Sequence, residues 1–96
     1  MRNAMIISPE DNVAVAIEPI RCGETVCFLM EGCEHTLVAK QDITIYHKVA
    51  VHDLAKGEPV KKYGEHIGIA SCPIRAGEHV HDHNVESHRE DLTAEA

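Results

Sequence analysis

Aromatic residues are scarce in this 96-residue chain, which has one Phe, two Tyr and no Trp. A core without large rings must be built from aliphatic side chains, and nine Val and nine Ile stand against four Leu. β-Branched residues suit pleated surfaces, so the composition points to a mostly β fold. Positive charge is also thin. Nine Lys and Arg face sixteen Asp and Glu, the formal charge is -7, and no basic run exceeds Lys61-Lys62. That balance excludes nucleic acid as a partner, because phosphate binding needs concentrated positive charge. No apolar run reaches the roughly 20 residues of a membrane helix. The opening "MRNAMIISPEDN" lacks the apolar segment of a signal peptide, so a cytoplasmic location is expected. Cys22, Cys27, Cys33 and Cys72 lack C-x2-C spacing and read as small buried apolar residues of a reducing compartment. The chain has no nucleophile elbow, P-loop, H-E-x-x-H or dinucleotide fingerprint. With no complete catalytic set of its own, it is expected to contribute groups to a larger partner.

What the chain does contain is a repeated turn. "PIRCGETV" (19–26), "DLAKGEPV" (53–60) and "PIRAGEHV" (73–80) share one frame, and "DITIYHKV" (42–49) fits it with Tyr46 in the Gly slot and His47 in the Glu slot. Each copy reads as a corner. An aliphatic anchor (Ile20, Ile43, Leu54, Ile74) enters the core, a Gly (Gly23, Gly57, Gly77) takes positive φ, and a Val (Val26, Val49, Val60, Val80) returns the chain inward. Tyr46 would be strained at positive φ, so its corner is expected to adopt another conformation. Asp42 and Asp53 are expected to cap their own turns.

Between corners, "NVAVAI" (12–17) alternates bulky and small residues, which suits a strand with a bulky and a thin face, both partly covered. "TVCFLM" and "HTLVAK" predict a hairpin with its loop at 31–34, and "KVAV", "HIGIAS" and "EHVHDHN" supply further strands. Gly64 and Gly68 allow tight bends. A single small domain is expected over 1–84, followed by a polar tail over 85–96 that frays.

The chemistry-bearing residues cluster late. On a strand, His79, His81 and His83 would form a column about 6.5–7 Å apart per step, opposite the core-facing Val80. Three imidazoles on one face can bind a divalent metal, and a solvated strand end is the alternative. His47-Lys48 forms a second polar pair, since a Lys can hold an anionic oxygen while an imidazole moves a proton. Its alternative is an exposed Lys beside a structural His. Asn84 can orient a hydroxyl or carboxylate, and Lys61, Lys62 and Tyr63 before Gly64 can bind a carboxylate. His35, His66 and His88 join no constellation.

The stretch "HKVAVHDLAKGEPVKKYGEHIGIASCPIRAGEHVHDHN" (47–84) resembles the small subunit, or N-terminal domain, of the altronate/galactarate dehydratase family. "DNVAVAI" (11–17) resembles that family's opening strand, and the resemblance runs from Asp11 to Asn84. Its most specific marks are His47-Lys48, Lys62-Tyr63-Gly64 and His81-x-His83-Asn84. Tyr46 departs from the family's usual Gly. The resemblance implies a SAF-type β-clip domain working beside a large catalytic subunit that dehydrates sugar acids. It also implies a divalent metal, Fe2+ or Mn2+, shared with that subunit. In that reading His81 and His83, with His79, contact metal or substrate, and Asn84 and Lys62 bind substrate. Lys48 pairs with the carboxylate, and His47 and Lys48 take part in catalysis. Two alternatives stay open: the small subunit of a sulfolactate sulfo-lyase, which breaks a C–S bond, and a non-enzymatic SAF binding module. A homo-oligomer of the chain is likewise left open.

Overall fold

The computed structural model describes residues 2–86; the fraying expected of the tail lies outside them from residue 87 onward. Among the described residues there are nine strands and no helix, in keeping with the β-branched composition. They are β1 (Ala4–Met5), β2 (Val13–Ala16), β3 (Thr25–Met30), β4 (Cys33–Val38), β5 (Lys48–Ala50), β6 (Pro59–Lys62), β7 (Glu65–Ala70), β8 (His79–Val80) and β9 (Val85–Glu86). All pairings are antiparallel, in a four-stranded sheet β1-β2-β5-β8, the hairpin β3-β4 and a three-stranded sheet β6-β7-β9.

The four corners have one geometry. In each, the N–H of the sixth residue donates to the carbonyl of the third, as in Glu24 to Arg21, His47 to Thr44, Glu58 to Ala55 and Glu78 to Arg75. The fifth residue is left-handed in every copy, at φ 93° (Gly23), 70° (Tyr46), 89° (Gly57) and 94° (Gly77). A β-turn with positive φ at its third position favours glycine there. Tyr46 therefore does not escape into another conformation, as expected from its side chain; it adopts the glycine geometry. The reason is tertiary. Its N–H donates to the Ala16 carbonyl and the Ala16 N–H donates to the His47 carbonyl, the same bracket that Ala39, Ala70 and Ala50 make with the other corners.

The corners meet in pairs. Ile20 bridges Ile43, and Leu54 bridges Ile74. Each pair owns a core. Ile20, Val26, Ile43 and Val49 pack with Ala14, Ala16 and Phe28, while Leu54, Val60, Ile74 and Val80 pack with Val13, Ala50 and Ala70. The register Val13↔Ala50 and Ala14↔Val49 sends Val13 and Ala50 into one core and Ala14 and Val49 into the other. The 12–17 segment is thus covered on both faces at its start, while Val15 is half-buried and Ile17 is exposed. Asp42 and Asp53 do cap turns, but those of the partner corners: the Cys22 N–H donates to Asp42 Oδ1 and the Ala76 N–H to Asp53 Oδ1.

A second repeated device holds the strands that leave the corners. Asn3 Nδ2 donates to the Thr25 carbonyl and its Oδ1 accepts from the Cys27 N–H. Asn12 does the same to Pro59 and Lys61, and Asn84 to His79 and His81. Each asparagine thus clasps the residues on either side of a fully buried corner valine, Val26, Val60 or Val80.

Other expectations need correction. The β3–β4 hairpin turns at Glu31-Gly32 alone, both at positive φ, so its loop is two residues rather than 31–34. Three of the four cysteines, Cys22, Cys33 and Cys72, are exposed and only Cys27 is buried, because the aliphatic corners fill both cores without them. The strand expected over 78–84 stops after Val80. The Asn84 N–H donates to the His81 carbonyl, which closes a turn over 81–84 and carries His83 off the ladder.

Candidate functional site: an imidazole cluster at the β5–β8 junction

Strands β5 and β8 pair with Lys48 opposite Val80 and Val49 opposite His79. Carrying that register one step on places His47 across from His81. Alternation then puts His47, His79 and His81 on one side of the sheet end and Lys48, with Val80, on the other. The rings confirm the convergence. His47 Nδ1 lies 2.8 Å from His79 Nε2, a hydrogen bond between imidazoles. His47 and His81 stack with centroids 3.9 Å apart and planes at 11°. His79 and His81 are 5.8 Å apart at 9°. A nitrogen of each of the three lies within 4.8 Å of the others.

The trio exists because of one departure from the repeat. In the other three corners the Glu side chain accepts from its own turn: Glu24 from the Arg21 N–H, Glu58 from Ala55 and Glu78 from Arg75. His47 fills that slot in the second corner, and its ring reaches instead across to His79. All three imidazoles are half-buried. Burial, followed by the charge of neighbouring His81 and Lys48, holds the His47 pKa below the usual histidine range. Burial and the surrounding imidazoles do the same to His79. Both are thereby kept neutral, with nitrogens able to accept a proton or bind an ion. His81 Nδ1 is buried without a hydrogen-bond partner among the described residues, a polar atom with unmet demand.

As a metal donor set the residues fit. Imidazole nitrogens suit Zn, Cu, Fe or Ni, and three of them leave coordination positions open for other ligands. The 2.8 Å contact is shorter than the about 3.3 Å expected between two nitrogens on one ion, so His47 and His79 are hydrogen-bonded rather than arranged as a chelate.

The remaining sequence-chosen residues fall around the trio. His83 is exposed, with its ring 5.2 Å from His79 and tilted by 33°, so it is a fourth, peripheral imidazole. Lys48 is about half withdrawn from water; burial and then the charge of Lys62 lower its pKa, and Asp82 opposes the shift. Lys62 holds its Nζ 5.0 Å from the centre of the Tyr63 ring. Asn84 is only 5% exposed, with its amide engaged at both ends by the His79 carbonyl and the His81 N–H.

Sequence reasoning missed that His47 completes the trio, and the signal was its place in a Glu slot. It also missed Asp82, whose charge acts on both His47 and Lys48, and Gln41, whose Oε1 accepts from the His79 N–H. Asp11, 2% exposed, has a structural part that its sequence position did not signal. It accepts from the N–H groups of Ser8, Tyr63 and Gly64 and so holds the second tight hairpin turn.

The fold is thus a small all-β domain of paired corners that presents three clustered imidazoles at one strand end. Residues 2–88 match the family described as "Altronate/galactarate dehydratase SAF domain", and the chain belongs to that family. It is 43% identical over 82 residues to "Altronate dehydratase" of Escherichia coli, covering 85% of this chain and 16% of that protein. It is 33% identical over 92 residues to "Altronate dehydratase" of Bacillus subtilis, covering 96% of this chain and 18% of that protein. Against "(2R)-sulfolactate sulfo-lyase subunit alpha" of Chromohalobacter salexigens it is 40% identical over 77 residues, 78% of this chain and 82% of that one. The chain therefore spans less than a fifth of the matched dehydratases and most of the matched lyase subunit. Among the described residues no helix is long and apolar enough to cross a membrane.

Proposed function

We propose that this domain is the accessory part of a cytoplasmic sugar-acid dehydratase whose catalytic bulk lies on a larger polypeptide. The observation that carries the reading is the His47–His79–His81 cluster, three half-buried imidazoles at a strand end with no nucleophile or complete acid–base set around them among the described residues. The reaction removes a proton from the carbon next to a carboxylate; its electron pair forms the C=C bond as the β C–O bond breaks, and the departing hydroxyl leaves as water. An imidazole held neutral by burial can accept a proton at pH 7. Lys48, on the other side of β5 from the imidazoles, and Lys62 offer positive charge to a carboxylate that reaches past the strand end. A divalent ion such as Fe2+ or Mn2+, held by His47, His79 and His81, would supply positive charge beside the developing negative charge of the substrate.

The second reading, a (2R)-sulfolactate sulfo-lyase subunit, is favoured by the 40% identity that extends over 82% of the matched subunit alpha. The same α-proton chemistry would then expel sulfite. The test is to co-purify the tagged chain with its bound partner and assay water loss from altronate and galactarate and sulfite release from sulfolactate. The complex is expected to turn over one of these acids and the isolated chain none. In the complex, His79→Ala and His81→Ala should each lower the rate at least 100-fold, on the scale of a lost acid–base or metal group, and His83→Ala much less. Robust turnover by the isolated chain, or a His79→Ala/His81→Ala double variant running at full rate, overturns the proposal.

A further inference from the structure

We infer that Asn84 is the positioning residue of the imidazole cluster, acting through the backbone of His79 and His81 rather than by touching substrate. Its Nδ2 donates to the His79 carbonyl at 2.9 Å and its Oδ1 accepts from the His81 N–H at 2.9 Å. The residue itself is anchored, because the Ser71 N–H donates to the Asn84 carbonyl and the Asn84 N–H to the His81 carbonyl. Asn3 and Asn12 form the same two-ended clasp across Val26 and Val60. At those sites the flanking side chains are Thr25 with Cys27, and Pro59 with Lys61. Only in the fourth corner do both flanking positions carry imidazoles. Fixing the carbonyl of one residue and the N–H of the residue two ahead locks the intervening backbone as extended, so both flanking side chains leave on the same side. With Val80 seated in the core, that side is where the His47 ring lies. The clasp also comes from three residues downstream instead of from a distant strand, so it closes the 81–84 turn and sets His83 apart.

The other asparagine clasps supply a matched control. Asn84→Ala and Asn12→Ala delete the same pair of hydrogen bonds beside equivalent buried valines. Imidazole 1H–15N spectra of the labelled chain, recorded at pH 7.5 with a chelator and followed by zinc titration, separate the two. The wild-type chain is expected to show a slowly exchanging imidazole N–H from the His47–His79 bond. Asn84→Ala should lose that signal and shift the His47, His79 and His81 resonances, whereas Asn12→Ala should keep them despite a comparable drop in melting temperature. Zinc affinity should fall 10–100-fold in Asn84→Ala, as when the outer partner of a metal ligand is removed, and little in Asn12→Ala. Asn84→Ser, which keeps one of the two bonds, serves if the alanine variant does not fold. The inference fails if the wild-type chain lacks the slow N–H, if Asn84→Ala retains it, or if Asn12→Ala disturbs the imidazoles equally. The zinc arm rests on the metal reading above. A wild-type chain that ignores zinc while Asn84→Ala still loses the N–H ends the metal reading and leaves the positioning role standing.

Discussion

The first and third corners, 19–26 and 53–60, are built from the same parts as the second and fourth, 42–49 and 73–80, yet only the latter present chemistry. In the first and third, a glycine takes the left-handed position and a glutamate ties off its own turn. An asparagine then holds the departing strand, and the flanking side chains do little else. In the second corner, glycine has become Tyr46 and glutamate has become His47. Its strand, β5, lies between two partners and needs no asparagine clasp. The fourth keeps its Gly, Glu and Asn but carries His79 and His81 beside its valine. Because β5 and β8 are neighbours, these two modified corners face each other. A site thus arises where one scaffold element is repeated and two adjacent copies vary: one gives up its glycine and glutamate, and the other keeps its turn and carries imidazoles on either side of its valine.

The comparison can be broken most severely at the glycines. A Cβ on Gly77 would lie 2.3 Å from the Val38 carbonyl oxygen, whereas Gly23 and Gly57 have nothing within 4 Å. Gly77→Ala combines left-handed strain with a backbone clash and is expected to destabilise by roughly 3 kcal/mol or more, while Gly57→Ala carries only the strain of about 1–2 kcal/mol. Urea unfolding of the two variants measures the gap, and equal midpoints would contradict the packing of the fourth corner against residues 38–40.

A smaller effect comes from converting the second corner into its siblings. Tyr46 is 72% exposed, so its side chain does little to offset the cost of its φ of 70°. Tyr46→Gly should stabilise the chain by about 1–2 kcal/mol. His47→Glu should add about 1 kcal/mol by capping the Thr44 N–H as Glu24 caps Arg21. The double variant is expected to melt higher than wild type while losing the His47–His79 imidazole signal. A lower melting temperature would mean that the second corner is not equivalent to the others.

The smallest effect is pH dependence. His47 and His79 are held below the unfolded value of 6.5, so in the window under 6.5 the unfolded chain binds protons that the folded chain resists. Stability is therefore complete above that value and declines as pH falls through it. Melting temperatures in chelator-containing buffer should drop between pH 7.5 and 5.5, and less so in His47→Gln. An unchanged slope in that variant would remove His47 from the buried set.

Much of this architecture could be read in advance. The anchors Ile20, Ile43, Leu54 and Ile74 and the valines that follow them are all buried, because their spacing within a turn frame depends only on local backbone geometry. The candidate site was legible by residue but not by grouping. His79, His81 and His83 looked like a single column because period-two spacing describes a continuous strand, yet hydrogen bonds from Asn84 end that strand after Val80. Asp53 looked like a cap for its own turn, although the acceptor it offers is nearer to Ala76 once the corners pair. Tyr46 was expected to avoid a conformation that two long-range hydrogen bonds to Ala16 impose.

Sequence alone determined that the chain is β-rich, turns four times on one pattern, and gathers imidazoles near its last corner, since each of these follows from side-chain shape and short-range spacing. Which corners pair, which imidazole completes the trio and where β8 ends were decided only in three dimensions. Strand register and the clasps of Asn3 and Asn12 join residues tens of positions apart, and the Asn84 clasp, though only three to five residues long, forms only once Val80 is seated in the core.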